Sequence, residues 1–312
     1  AKTDTANTEE ISIKKDGAEN HFLAYSVGSK ILIKNLDFQV GGGGTNTAVS
    51  FARLGLKTAY LGKIGKDPSA DIIINLLSKE HVDFIGVKSK GQTGYSVILD
   101  SIKEDRTILT YKGVNDELDF SEIKKTTLKT KWFYFSSMMG KSYKTLEKLA
   151  KHAKDHNIKV AFNPSIYLVK TGLPRLKRLI KMTDFLVLNK EEAEEILGKK
   201  DIGQLLDEFK ELGPKIVAIS DGKNGVYVCN GNHCHYQPAN NVKIKETTGA
   251  GDAFASAFVA GLIIKNNDLH FALNLGMANA TSVIKYIGAK NKLLTLKEAR
   301  IEMKKNRRIR PI

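Results

Sequence analysis

The sequence predicts an α/β fold in which a mostly parallel central sheet carries helices, with a small antiparallel sheet projecting from it. Three observations lead there. From about residue 130 onward, strand-like and helix-like segments alternate with short connections. Several strand segments are unbroken apolar runs, the mark of strands covered on both faces. Two stretches, 21–40 and 94–113, break the rhythm with alternating, β-rich sequence and no helix between.

Taken in order, residues 132–136 are an aromatic strand and 145–156 have helical spacing. A short strand over 159–162 stops at Asn163-Pro164, where the proline biases the chain away from continuing. The run 185–188 is wholly apolar. Residues 190–197 are helical and end at Gly198, 202–212 are helical and end at Gly213, and 216–219 are again a short apolar strand. In the second β-rich stretch, 96–100 and 106–111 flank the polar segment 101–105 and read as a hairpin. A small sheet beside a ligand crevice can serve as a lid. Residues 1–20 are polar, and no hydrophobic strand is expected there.

A length of 312 residues fits two domains or one large α/β unit with an accessory piece. With 42% hydrophobic and 27% charged residues, the chain has the material for a core and is not a disordered polymer. No apolar run reaches the ~18 residues of a membrane helix. The longest, 253–264, is interrupted by Ser256 and Gly261. A polar start gives no sign of a signal peptide. Two cysteines make no disulfide framework, which favours a reducing cytoplasm. Lys plus Arg outnumber Asp plus Glu by 49 to 34, a net charge of +15, which draws anions: nucleic acid, acidic lipid or phosphorylated small molecules. The basic residues are spread along the chain and concentrate only at Lys304, Lys305, Arg307 and Arg308. That tail has no interleaved aromatics and reads as a solvated end rather than a nucleic-acid platform.

Two glycine-rich segments bear the chemistry. The first is Gly41-Gly42-Gly43-Gly44-Thr45-Asn46-Thr47-Ala48, ahead of a helical stretch over 48–54. Its glycines let backbone approach a ligand, and Asn46 offers a donor and an acceptor to hydroxyl groups. Taken alone, a turn without a ligand explains it equally well. It is neither a P-loop nor a dinucleotide fingerprint, because Gly-Lys-Ser/Thr and the third spaced glycine are missing. The second is Glu246-Thr247-Thr248-Gly249-Ala250-Gly251-Asp252, which opens a helix rich in small residues. Helix N-termini present unpaired N–H groups and a positive dipole end, a ready anion site. A carboxylate beside such a site is electrostatically awkward unless it works, for instance by taking a proton from a hydroxyl that attacks a phosphoryl group. The plainer alternative is an acidic first-turn residue that satisfies the dipole.

Supporting signals are weaker. Asn189 and Glu192 follow a strand, where ligands of open α/β sheets gather, and could organise Mg²⁺-bound waters and phosphate. Equally, they read as an N-cap and its capping-box partner. Ser220-Asp221-Gly222-Lys223-Asn224-Gly225 follows the strand 216–219 and reads as a nucleotide-binding turn or a plain one. Cys229, His233, Cys234 and His235 lack zinc-site spacing. The residues Asn230-Gly231-Asn232 between them read as a hairpin tip that puts the cysteines on facing strands. No nucleophile motif supports hydrolase chemistry.

Together the two glycine-rich segments make the chain resemble the ribokinase-like (PfkB) family of carbohydrate and nucleoside kinases. GGGGTNTAVSFARLG, with Gly62 and Gly65 beyond it, is similar to that family's N-terminal signature, and TTGAGDAFASAF to its more specific C-terminal one. The resemblance covers residues 22–290. It implies a three-layer α/β core, residues 41–91 and 114–312, and a β lid from residues 1–40 and 92–113. Through it, Asp252 matches the catalytic base, and Gly249, Ala250 and Gly251 the anion hole. Gly42, Gly43 and Asn46 match substrate contacts, and Asn189 and Glu192 the motif that organises Mg²⁺ and phosphate. Ser220, Gly222 and Gly225 match the nucleotide-binding turn, and Asn279 a position near the adenine. Many members also use a monovalent cation such as K⁺ near the position of Glu246, where Asp is usual. The resemblance further implies ATP as co-substrate and a homodimer through the lid.

One departure stands out. The family begins with a hydrophobic strand ending in an Asp that binds substrate hydroxyls, and neither Asp4 nor Asp16 follows such a strand. The expectation is an ATP- and Mg²⁺-dependent kinase of a small sugar. The rivals are a nucleoside kinase of the same family and a nucleotide- or sugar-binding protein that has lost catalysis.

Overall fold

The computed structural model describes residues 2–3, 9–15, 18–100, 106–231 and 233–312. Its N-terminal part contains β1 (Lys2–Thr3), β2 (Glu9–Lys15), β3 (Ala18–Ala24) and β4 (Ile33–Asn35). Helix α1 (Gly43–Arg53) follows, then β5 (Thr58–Tyr60), β6 (Lys63–Ile64), α2 (Pro68–Lys79), β7 (Val82–Phe84) and β8 (Val87–Lys88). Strands β9 (Tyr95–Asp100) and β10 (Arg106–Tyr111) precede the main alternation. That alternation runs β11 (Trp132–Phe135), α3 (Gly140–Asp155), β12 (Lys159–Phe162), α4 (Ile166–Val169), α5 (Leu173–Ile180), β13 (Phe185–Asn189), α6 (Lys190–Leu197), α7 (Ile202–Glu211) and β14 (Ile216–Ser220). The chain closes with β15 (Val226–Asn230), β16 (His233–Gln237), α8 (Ala250–Ile264), α9 (Leu269–Val283), α10 (Leu296–Glu302) and β17 (Arg310–Pro311).

Strands β11 to β17 form one seven-stranded sheet in sequence order. The first four are parallel and the last three antiparallel, so the sheet is mixed. Successive side chains of a strand point to opposite faces, and here both faces are covered. On one face Phe185, Val187, Ile216 and Ala218 pack with Phe254, Phe258 and Leu273 of α8 and α9. On the other, Leu186, Leu188, Val217 and Ile219 pack with Leu146, Leu176 and Leu205 of α3, α5 and α7. This three-layer arrangement is why β13 and β14 are apolar at every buried position. A separate four-stranded sheet has the order β10-β9-β1-β4, and the pairs β2-β3, β5-β7 and β6-β8 stand as two-stranded ladders. Among the described residues no strand pairs with the outer edge of β11.

Three expectations need correction. Helix α1 starts at Gly43, not at residue 48: its first turn is tied down by Asn46, which bonds Asp252, while Thr45 and Thr47 turn their hydroxyls back onto the carbonyls of Gly41 and Gly43 at 2.7 and 2.8 Å. Helix α3 likewise begins at Gly140 rather than 145. Residues 1–20 carry polar strands rather than a hydrophobic one: β2 pairs with β3 from Glu9↔Ala24 to Lys15↔Ala18. Asp4, Asp16 and the loop 101–105 lie outside the described residues. Finally, Cys229 and Cys234 do face each other across β15 and β16, but they are joined in a disulfide that the sequence reading did not include. Among the described residues, no helix is long and apolar enough to cross a membrane.

Helix α8 is buried along most of its length, and α9 lies against it through small residues. A β-carbon on Gly261 would sit 2.5 Å from the Cα of Ala272. Gly261→Leu should therefore force the two helices apart. We expect a loss of about 3 kcal/mol or more in urea unfolding, at the upper end of overpacking effects. An unchanged midpoint would show that the helices are not in this contact.

Candidate active site

The carboxyl ends of β13 and β14 lie side by side, with Asn189 opposite Ser220. Open α/β sheets bind ligands at this edge. Helix α6 starts there with a complete capping box: Asn189 Oδ1 accepts from the Glu192 amide at 2.7 Å, and Glu192 Oε2 accepts from the Asn189 amide at 3.0 Å. The cap engages one oxygen of each side chain. Burial, reinforced by the charges of Asp252 and Glu191, pushes the Glu192 carboxyl up to about 7 despite that amide bond. A buried carboxylate so costly to ionise is matched to a nearby cation, and the site fits a hydrated divalent ion in this respect.

Helix α8 begins beside this edge. Gly249 precedes it in the left-handed region at φ 80°, and a β-carbon there would lie 2.6 Å from the side chain of Ala289. Gly251 opens onto free space. The amides of Gly251 and Asp252 belong to the first helical turn, where no preceding carbonyl of the helix can reach them. The Ala250 amide, expected to share this role, instead donates to Thr247 O at 3.2 Å.

Asp252 is half-buried, and Asn46 Nδ2 donates to its Oδ2 at 2.8 Å. Burial raises the Asp252 carboxyl above the usual range, while the Asn46 bond and the charge of Lys290 act in the opposite direction. Asn46 Oδ1 in turn accepts from Lys290 Nζ at 2.5 Å, and the same ammonium donates to Val40 O at 2.5 Å. Burial brings Lys290 down to about 8. Gly43 matters here: a β-carbon on it would fall 3.1 Å from Asp252 Oδ1 and 2.5 Å from Ser136 Oγ. Any side chain would crowd the carboxylate on that flank. The Tyr134 hydroxyl is buried with no hydrogen-bond partner among the described residues. Burial and the charges of Asp252 and Glu192 push it well above its ordinary value.

This geometry joins a glycine-rich segment, a half-buried carboxylate and a helix N-terminus at one place. The pattern of the pfkB family carbohydrate kinases matches residues 13–296. The chain belongs to that family. Family members are phosphotransferases with an alcohol group as acceptor, and so is this enzyme. An ATP-dependent 6-phosphofructokinase of Thermoanaerobacterium thermosaccharolyticum is 29% identical over 80% of this chain and 80% of its own. A ribokinase of Staphylococcus aureus is 27% identical over 83% and 86%. Among solved structures, a ribokinase of Arabidopsis thaliana complexed with ribose and ATP superposes with a TM-score of 0.80 at 21% identity, covering 89% of this chain and 92% of that one.

Most of the sequence-predicted residues of this pfkB kinase gather at the site, and one does not. Gly42 immediately precedes α1 at φ 89°. Ser220, Gly222 and Gly225 lie at the end of β14, where the turn is closed by a bond from the Asp221 amide to Gly225 O at 2.8 Å. Asn279, placed near the adenine by sequence, is corrected: it is fully buried between helices. Its Nδ2 donates to Ser50 Oγ and Ala253 O at 3.1 and 3.0 Å, and its Oδ1 accepts from the Leu294 amide at 2.9 Å. With its donors and acceptor engaged there, it fastens α9 to α1 and α8 rather than facing a nucleotide. Glu246 Oε2 accepts from the Gly288 amide at 2.7 Å and braces the loop that carries Lys290. Lys290, Tyr134 and Ser136 were missed. Nothing in the sequence marks one lysine out in so basic a chain.

The Glu192 carboxyl holds its proton to about pH 7 in the folded chain against 4.5 unfolded. The folded state therefore loses stability relative to the unfolded one as pH rises between those values, by at most about 3 kcal/mol. In the metal-free protein, wild type should lose more stability than Glu192→Gln between pH 5 and pH 7.5. Parallel melting curves for the two across that range would contradict the raised value.

Proposed function

We propose that the enzyme transfers the γ-phosphoryl group of ATP to a hydroxyl of a small sugar, with Asp252 as general base. The observation that carries this reading is the half-buried Asp252 carboxylate, held by Asn46 beside the glycine-rich segment and at the start of α8. A carboxyl raised by burial is a better base near neutral pH than an exposed one. Asp252 accepts the acceptor's hydroxyl proton as that oxygen bonds to the γ-phosphorus. The bond from that phosphorus to the bridging oxygen breaks, and ADP leaves with the electron pair. The first-turn amides of Gly251 and Asp252 and the dipole of α8 are suited to the charge on the moving phosphoryl group. Magnesium bound with the nucleotide would neutralise phosphate charge, and Glu192 with Asn189 is the pair fitted to hold it through water. Gly42, Gly43 and Asn46 line the acceptor side, and Ser220, Gly222 and Gly225 the nucleotide side.

A sugar is favoured over a nucleoside by the sequence relatives. The phosphofructokinase and ribokinase named above share 29% and 27% identity with this chain. A Methanocaldococcus jannaschii nucleoside kinase shares 21% and supports the fold alone.

The test is Mg²⁺-dependent ATP consumption across a panel of sugars and nucleosides. Asp252→Asn should lower kcat with the preferred acceptor by about 10²–10⁴-fold, the share typical of general-base catalysis, with nucleotide affinity nearly unchanged. Full turnover in the variant would remove Asp252 from the role.

A further inference from the structure

We propose that Lys290 is a positioning residue for Asp252: its ammonium fixes the Asn46 carboxamide with the NH₂ toward the Asp252 carboxylate, and its charge offsets that half-buried anion. The inference deepens the kinase reading above and rests on it for its catalytic consequence.

An asparagine carboxamide can present either its oxygen or its nitrogen to a neighbour. Which one it presents is set by its other hydrogen bonds. An ammonium has only donors, so Lys290 Nζ at 2.5 Å from Asn46 Oδ1 leaves Nδ2 to face Asp252, at 2.8 Å. Lacking this donor, the carboxamide is free to turn its oxygen toward the carboxylate, an arrangement that favours protonated Asp252.

The lysine is itself held from several sides. Its ammonium also donates to Val40 O. Its backbone carbonyl and that of Leu293 accept from Arg53 Nη1 at 3.2 and 3.1 Å. Arg53 is paired through two bonds with Glu80. Gly288 is tied to Glu246, and Ala289 sits against Gly249. The loop is thus fastened to α1, to the residues just before α8 and, through Arg53, to Glu80 at the end of α2, while the side chain reaches the glycine-rich segment. A lysine serving only solubility has no use for such anchoring.

The charged groups acting on Lys290 are Asp252 of α8, Glu80 and Arg53. Glu192 of α6 and Tyr134 of β11 interact with Asp252 from other elements. The net effect of the lysine on Asp252 is to favour its ionised form.

The experiment follows the Asp252 side-chain carboxyl by ¹³C NMR as pH is varied, with the signal assigned by Asp252→Asn. Wild type, Lys290→Met, Lys290→Gln and Lys290→Arg are compared, each checked for a folded melting transition. In Lys290→Met, and in Lys290→Gln should the first not fold, the Asp252 midpoint should rise by about one pH unit. Lys290→Arg should stay near wild type. In turnover, the acid limb of the kcat profile should move with that midpoint, so that kcat below it falls about tenfold while the KM for nucleotide holds. A midpoint unmoved by loss of the charge overturns the proposal, as does an arginine variant shifted as far as the methionine one. The titration needs no turnover. A silent acceptor panel therefore sinks the kinase reading while leaving the role of Lys290 decided.

Discussion

A carboxylate partly withdrawn from water is stabilised by donors, and a donor that holds Asp252 comes from a segment 206 residues away. The bond from Asn46 requires α1 and α8 to start side by side, and much of the surrounding structure serves that requirement. One turn further along the same two helices, Ser256 Oγ donates to Ser50 Oγ at 2.7 Å. Asn279 closes the seam from α9 through the same serine. These polar contacts lie among Ala253, Ala257 and Gly261, whose small size brings the helices close enough to make them. Buried polar groups without partners are costly, so the seam sets the register of these helices more firmly than apolar packing alone.

The electrostatics of the site follow from the same burial. Asp252 and Glu192 both resist ionisation, and the Tyr134 hydroxyl is held protonated between them. Lys290, bonded to Asn46, favours the ionised form of Asp252, and burial depresses the lysine in turn. Such a site holds more negative character than it can comfortably carry on its own. Charges brought by a metal and by a helix N-terminus relieve it, which is the situation that phosphoryl transfer creates.

What the sequence made legible was governed by local chemistry. The apolar runs of β13 and β14 could be read directly, because residues on both faces of those strands are buried. The glycine-rich segments stood out by composition. The start of α1 did not, since Gly43, Gly44 and Thr45 are poor helix formers and the tertiary tie from Asn46 to Asp252 that holds this turn is not visible in the sequence. Asn279 was misplaced because the partners that engage it, Ser50 and Ala253, lie far from it in the sequence. Lys290 was invisible because its meaning lies in a contact 244 residues away.

The central claim is that acceptor hydroxyl, transferred phosphoryl group and Asp252 meet at the start of α8. The most direct measurement is a crystal structure of the enzyme with MgADP, aluminium fluoride and the acceptor that supports turnover. The account predicts the fluoride complex against the amides of Gly251 and Asp252, with one acceptor hydroxyl within hydrogen-bonding distance of the Asp252 carboxylate. A fluoride complex bound away from α8, or an acceptor whose reacting hydroxyl faces a different base, would contradict it.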